Sequence, residues 1–156
     1  MIDSMLKPIV PRDDDEPVSK LRVLVATANI FNGDAIKRML QQSAIESDMV
    51  YDGREVVALI ERRFKMERTT YELIVLDFDL HPLDGIGVAI YLRKFFSHQK
   101  VMKVYQNPHI CLLLPDDDIN LSRKDLDKLG VNSILIKPVF KQSVQKLLQD
   151  CQMISS

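Results

Sequence analysis

The sequence predicts an α/β domain in which five parallel strands alternate with five helices in a doubly wound (βα)5 order. Three observations predict it. Short aliphatic runs recur along the chain, the stretches between them carry apolar residues at helical spacing, and turn residues punctuate the changes from one pattern to the other.

Each element follows from its residues. The first strand is Arg22–Ala26, and Phe31, Ala35, Ile36, Met39 and Leu40 share one face of the helix after it. The second strand, Glu46–Tyr51, leads through Asp52-Gly53 into a helix marked by Val56, Val57, Leu59, Ile60 and Phe64. Leu73–Asp77 is the third strand, and Asp84-Gly85 opens a helix with Ile86, Ala89, Ile90 and Phe96 toward the core. After the fourth strand, Ile110–Leu114, Ser122 caps a shorter helix with Asp125 at its third position and Gly130 as its stop. Ser133–Ile136 is the fifth strand, and its helix carries Phe140, Val144, Leu147, Leu148 and Cys151. Two connections, Met66–Tyr71 and Ser97–His109, read as long loops.

The 156 residues suffice for one domain, assigned to residues 21–152. Residues 1–20 hold Pro8, Pro11 and Pro17 and the acidic run Asp13-Asp14-Asp15-Glu16, a composition with too little apolar surface to offset its ordering entropy, and read as a flexible tail. Residues 153–156 read as a second tail. A net charge of -1 argues against nucleic acid as a partner. No apolar stretch approaches the roughly 20 residues of a membrane span, so a soluble, intracellular protein without membrane insertion is expected. The two cysteines, Cys111 and Cys151, lack the spacing and co-ligands of a zinc site or a disulfide framework and are expected to be reduced and buried. His81, His98 and His109 show no metal-binding spacing, and Arg62-Arg63 and Arg93-Lys94 read as solvated helix faces.

In a doubly wound sheet the crevice beyond the strand C-termini is the default site. The third strand ends in Asp77 and continues through Asp79, Pro82 and Asp84-Gly85, while the fifth ends in Lys137-Pro138. An aspartate and a lysine converging at that edge are placed to pair.

The joint spacing of Asp77, Pro82, Asp84-Gly85 and Lys137-Pro138, with Asn29-Ile-Phe-Asn32 after the first strand and Asp52-Gly53-Arg-Glu-Val opening the second helix, resembles the receiver domain of two-component response regulators and hybrid histidine kinases. The resemblance spans about residues 21–151. It implies a flavodoxin-like fold in which Asp77 accepts a phosphoryl group from a phosphohistidine. It further implies that two acids after the first strand join Asp77 and the Asp79 backbone carbonyl in holding Mg²⁺, that a hydroxyl residue after the fourth strand binds the phosphoryl oxygens, and that Lys137 pairs with them. An aromatic three residues before the lysine is implied as the reporter of state.

Position by position, Asp77, Lys137 and Pro138 match, and four positions depart. Thr27 and Ala28 stand where the acid pair belongs; a threonine offers a hydroxyl for a water but no charge, and Mg²⁺ is normally held by carboxylates with phosphate oxygens. Leu113, or Leu114 beside it, replaces the hydroxyl residue, and Ile134 replaces the aromatic. Because electrostatic stabilisation supplies most phosphoryl-transfer catalysis, the sequence predicts a pseudo-receiver. Phosphoacceptance is impaired or lost, with no cofactor or only weakly bound Mg²⁺, and no enzymatic activity is expected.

Such a module acts by docking to a histidine kinase, a histidine phosphotransfer domain or another signalling protein, and the resemblance implies an output face that here includes Leu126, Leu129, Ile134, Phe140 and Val144. Its expected place is the cytoplasm, alone or within a membrane-associated hybrid kinase, or the nucleus. Two other readings stand beside it. One keeps phosphotransfer to Asp77 with a site completed by Asp79, Asp116 or the donor; the Asp116-Asp117-Asp118 triplet otherwise reads as a solvated loop. The other places a small ligand's phosphate in the turn from Thr27 to Gly33, although no Gly-rich fingerprint supports it.

Overall fold

The computed structural model describes residues 19–100, 107–116 and 120–155, with side chains from residue 21 onward. Five strands, β1 (Ser19–Ala26), β2 (Ser47–Val50), β3 (Thr69–Asp77), β4 (His109–Leu114) and β5 (Ser133–Ile136), form one parallel sheet in the order β2-β1-β3-β4-β5. The helices are α1 (Ile30–Gln41), α2 (Gly53–Arg62), α3 (Gly85–Ser97), α4 (Arg123–Leu129) and α5 (Lys141–Asp150). This is the flavodoxin-like (βα)5 architecture.

Strand alternation splits the core in two. Leu24, Ile74, Leu76, Ile110 and Leu112 point to one face, where they meet Val56 and Ile60 of α2, Val88 and Leu92 of α3 and Leu126 of α4. Val23, Val25, Leu73, Val75, Cys111 and Leu113 point to the other, against Ile36 and Leu40 of α1 and Val144, Leu147 and Leu148 of α5. Both faces of the sheet are therefore dry, as its aliphatic strands require.

Short polar side chains fix the starts of α1 to α4, whereas α5 follows Phe140 without a side-chain cap. Asn29 Oδ1 accepts the N–H groups of Phe31 and Asn32, Asp52 Oδ1 accepts from Glu55 N at 2.7 Å, and Asp84 Oδ1 accepts from Gly87 N at 2.7 Å. Ser122 and Asp125 form a reciprocal capping box on α4, which ends at Gly130 with φ 77°, where a left-handed residue is needed.

Several boundaries differ from the sequence reading. β1 begins at Ser19, two residues inside the expected tail, because Ser19 and Lys20 pair with Thr69 and Thr70; residues 1–18 lie outside the described residues. The expected loop Met66–Tyr71 is a π-helical turn, Arg63–Glu67, followed by the start of β3. Thr69, Thr70 and Tyr71 are β-formers that extend the strand, and Tyr71 buries its ring while its hydroxyl donates to Asp48 Oδ2 at 2.5 Å. At the other end, Met153 and Ile154 are not a tail, since both pack against the second core and Met153 N donates to the Leu148 carbonyl. Of the expected long loop Ser97–His109, residues 101–106 lie outside the described residues.

Three residues assigned to helix core faces are exposed: Phe31 is 85% accessible, Phe140 61% and Ile90 45%. Phe31 and Phe140 stand at the first turn of α1 and just before α5, past the sheet's C-terminal edge, where no strand lies beneath them. On α3 the buried stripe runs through Val88, Ala89, Leu92 and Phe96, which turns Ile90 outward. Cys111 is buried and Cys151 half-buried; burial pushes both thiols up to about 12, so both stay protonated.

Candidate functional site

Thr27, Asp77 and Lys137 follow Val25, Val75 and Leu135 at the two-residue strand period, so all three reach the sheet's C-terminal edge on the same side. The register Ala26↔Leu76 makes Thr27 and Asp77 neighbours, and Asp77 pairs directly with Leu113 of β4.

Every oxygen of the Asp77 carboxylate is engaged. Thr27 Oγ1 donates to Oδ2 at 2.7 Å, Lys137 Nζ reaches Oδ1 and Oδ2 at 3.0 Å each, and the Asp79 N–H donates to Oδ1 at 3.1 Å. Asp77 is only 3% exposed and Thr27 is fully buried, so these bonds form in a poorly solvated setting where charge-assisted hydrogen bonds count most. Lys137 is held by its own backbone, its N–H donating to the Leu114 carbonyl at 2.9 Å; the Lys137–Pro138 and His81–Pro82 peptides are both cis.

The loop from Phe78 to Asp84 is anchored at three points. Phe78 N donates to the Leu113 carbonyl, Gly85 N to the Phe78 carbonyl, and Gly53 N at the start of α2 to the His81 carbonyl. Gly53, which the sequence reading uses as a helix opener and as part of the Asp52-Gly53-Arg-Glu-Val resemblance, has a packing role that the sequence does not show. A Cβ there would lie 1.9 Å from the Leu83 carbonyl oxygen, so the absence of a side chain is what lets the loop pack down beside Asp77.

The other residues singled out in the sequence fall as follows. Ala28 is exposed, and Leu113 and Leu114 are fully buried and bring no hydrogen-bond donor to the crevice. Asp79 turns its carboxylate outward, 58% exposed and 4.0 Å from Lys137 Nζ. Asp116 is exposed, and Asp117 and Asp118 lie outside the described residues. Ile134 is half-buried against the first core. On the expected docking face, Leu126 and Val144 are corrected to core residues, 7% and 2% exposed, because the inner stripes of α4 and α5 run through them; Leu129 is half-buried and Phe140 stands free.

As a Mg²⁺ site this donor set falls short. Both oxygens of the buried Asp77 carboxylate are taken, the exposed Asp79 carboxylate lies 4.0 Å from the same Lys137 Nζ, and the positions after β1 carry a hydroxyl that donates to Asp77 and a methyl group. Among the described residues no group of three His, Cys, Asp or Glu side chains could hold a metal ion. In the turn from Thr27 to Gly33, Asn29 Oδ1 takes the N–H groups of Phe31 and Asn32, and Gly33 packs against Met49.

At the opposite edge of the sheet, a hollow of about 460 Å³ is lined by Arg93, His109, Asn132 and Asp150 among others. Several of its polar groups are hydrogen-bonded to one another or to residues beside it. Arg93 donates to Gly130 O and Asn132 Oδ1, Arg123 donates to Asn132 O, and His109 shares a hydrogen bond with Ser133.

No protein-family model matches the chain. The sequence is 26% identical over 140 residues to the osmosensing histidine protein kinase SLN1 of Saccharomyces cerevisiae and 25% identical over 133 residues to the hybrid signal transduction histidine kinase K of Dictyostelium discoideum. These matches cover 89% and 85% of this chain but 11% and 10% of the relatives, so the chain spans about a tenth of their length. Among solved structures it is similar to the co-crystal structure of the Saccharomyces cerevisiae histidine phosphotransfer signaling protein Ypd1 and the receiver domain of its downstream response regulator Ssk1. That match has a TM-score of 0.70 and 20% identity over 90% of this chain and 97% of the other. It is also similar to the chemotaxis response regulator CheY4 of Vibrio cholerae, with a TM-score of 0.65 and 20% identity over 85% and 99% of the two chains. In fold the chain is similar to these receiver-domain structures and in sequence to these histidine kinases, and its Asp77–Lys137 pair stands at the sheet edge where the resemblance places it.

Proposed function

We propose that this receiver domain serves a two-component phosphorelay as a docking module whose phosphoacceptance at Asp77 is impaired or lost. The observation that carries the reading is the saturated Asp77 carboxylate. A phosphoacceptor needs a free oxygen as nucleophile and positive charge to offset the incoming phosphoryl group. Here Thr27 and Asp79 N–H occupy the oxygens from two sides, Lys137 supplies the one ammonium paired with them among the described residues, and the donor set does not suit Mg²⁺.

The surroundings of the acid suit a protein partner. Of the seven large hydrophobics exposed among the described residues, Ile30, Phe31, Tyr51, Ile136 and Phe140 lie at or just beyond the C-terminal ends of β1, β2 and β5. Exposed aromatics concentrated on one rim are the composition of a protein interface. A histidine phosphotransfer domain is the partner class we assign, supported by the likeness to the Ypd1–Ssk1 structure and by the histidine kinases among the relatives.

The test pairs binding with labelling, using a histidine phosphotransfer domain from the same organism. Asp77→Asn is expected to leave its affinity within about twofold, whereas Phe31→Ala with Phe140→Ala weakens it about tenfold or more, the scale of an aromatic anchor. Transfer from the phosphorylated partner that Asp77→Asn abolishes would replace this reading with that of a working phosphoacceptor.

A further inference from the structure

We infer that the Thr27 hydroxyl holds the Asp77 oxygen that a divalent metal would need, and that this side chain keeps the crevice from taking one. The inference rests on the reading that Asp77 works without metal and assigns the cause of that state to a residue.

Thr27 is a constrained donor. A hydroxyl has one hydrogen and two lone pairs. Its Oγ1 accepts the Asn29 N–H at 3.1 Å, which leaves its single hydrogen for Asp77 Oδ2 at 2.7 Å. The rest of the residue is pinned as well: Thr27 N donates to the Val50 carbonyl, the side chain is fully buried, and its Cγ2 lies against the space above Gly33. The chain Asn29 N–H, Thr27 O–H, Asp77 carboxylate therefore runs in one direction only.

This arrangement settles the charge of the crevice. Lys137 neutralises Asp77, and Thr27 and the Asp79 N–H complete its hydrogen bonds without adding charge. A divalent cation entering this set would have to break the Thr27 bond and displace or oppose the ammonium while gaining no carboxylate from position 27 or 28. Thr27→Asp reverses the first and the last of these, since it removes the donor and sets a second acid beside Asp77 that needs a cation to offset it. Ala28 is exposed, so Ala28→Asp adds a third acid without disturbing the core.

The experiment is a Mg²⁺ titration, from zero to about twentyfold above protein concentration and then into the millimolar range, followed by the amide shifts of Asn29, Asp79 and Lys137. Four proteins are compared: wild type, Ala28→Asp, Thr27→Asp and the double variant. Wild type and Ala28→Asp are expected to show no saturable change. Thr27→Asp and the double variant are expected to saturate, with a melting temperature that rises on adding Mg²⁺.

Saturation by wild type would overturn the metal-free reading together with this inference. Silence from all four proteins would overturn only the role given to Thr27, as would saturation by Ala28→Asp alone. Should the aspartate variants fail to fold, Thr27→Ser and Thr27→Val carry the test without metal. Serine is expected to keep the wild-type amide positions of Asp79 and Lys137 and valine to move both; a valine spectrum matching wild type would overturn the inference.

Discussion

Lys137 holds both carboxylate oxygens of Asp77 at once, its Nζ 3.0 Å from Oδ1 and 3.0 Å from Oδ2. The lysine side chain is 19% exposed and the aspartate 4%, so the pair is close to fully desolvated and each partner is the other's main compensation. Removing one member of such a pair costs more than the pair contributes, because the remaining charge stays buried. Lys137→Met is expected to lower unfolding free energy by about 2–3 kcal/mol, and Asp77→Asn added to it to restore most of that loss. Urea denaturation of the two single variants and the double checks this. Additive losses would mean that the two residues do not act as a pair.

Gly53 and the Leu83 carbonyl predict a second effect, with a control built into the fold. Replacing a helical glycine by alanine ordinarily stabilises by about 0.5–1 kcal/mol. At Gly53 the new Cβ meets backbone, the Leu83 oxygen at 1.9 Å, whereas at Gly33 it meets the flexible end of Met49 at 2.4 Å. Gly53→Ala is therefore expected to destabilise by about 1–3 kcal/mol and to shift the amide resonances of His81 and Asp79, while Gly33→Ala stays within about 1 kcal/mol of wild type. Equal effects at the two positions in thermal unfolding would show that the loop does not lean on Gly53.

These two relationships mark where the sequence was legible. The alternation of aliphatic runs with helical periodicity reveals the fold because both faces of a parallel sheet must be dry, and Asp77 and Lys137 are legible because a charged residue ending a buried strand has only the crevice to enter. The Thr27–Asp77 bond is not legible in the same way. Which way a hydroxyl points depends on the Asn29 N–H and on the register between β1 and β3, and both exist only in the folded chain. The seat of Leu83 on Gly53 left a weaker trace, a glycine at the first position of a helix where it is a poor helix former. Phe31, Ile90 and Phe140 were misplaced because periodicity gives the face of a helix but not how far the sheet extends beneath it. The Thr69-Thr70-Tyr71 stretch reads as part of a long loop because the aliphatic run begins only at Leu73, although its own residues favour a strand.

His109, at the start of β4, predicts how stability responds to acid. Burial first, and then the nearby charges of Arg93 and Arg123, hold its imidazole below the ordinary histidine value, with Asp150 opposing them. Its ring shares a hydrogen bond with Ser133 Oγ at 2.8 Å. In the native state His109 is therefore neutral at a pH where the unfolded chain already binds the proton. Above the unfolded value of about 6.5 neither state is protonated and the residue adds no pH dependence. As pH falls through that value the unfolded state takes up more protons than the native one, so stability declines, with a slope of at most about 1.4 kcal/mol per pH unit from this group. The decline ends once pH drops below the depressed native value. His109→Gln, which keeps a polar partner for Ser133 and cannot titrate, is expected to flatten the curve between pH 7 and pH 5. Melting temperatures measured across that range provide the comparison. A wild-type curve that is flat, or that rises toward acid, would mean that the imidazole is better solvated or better compensated by Asp150 than its burial between β4 and β5 implies.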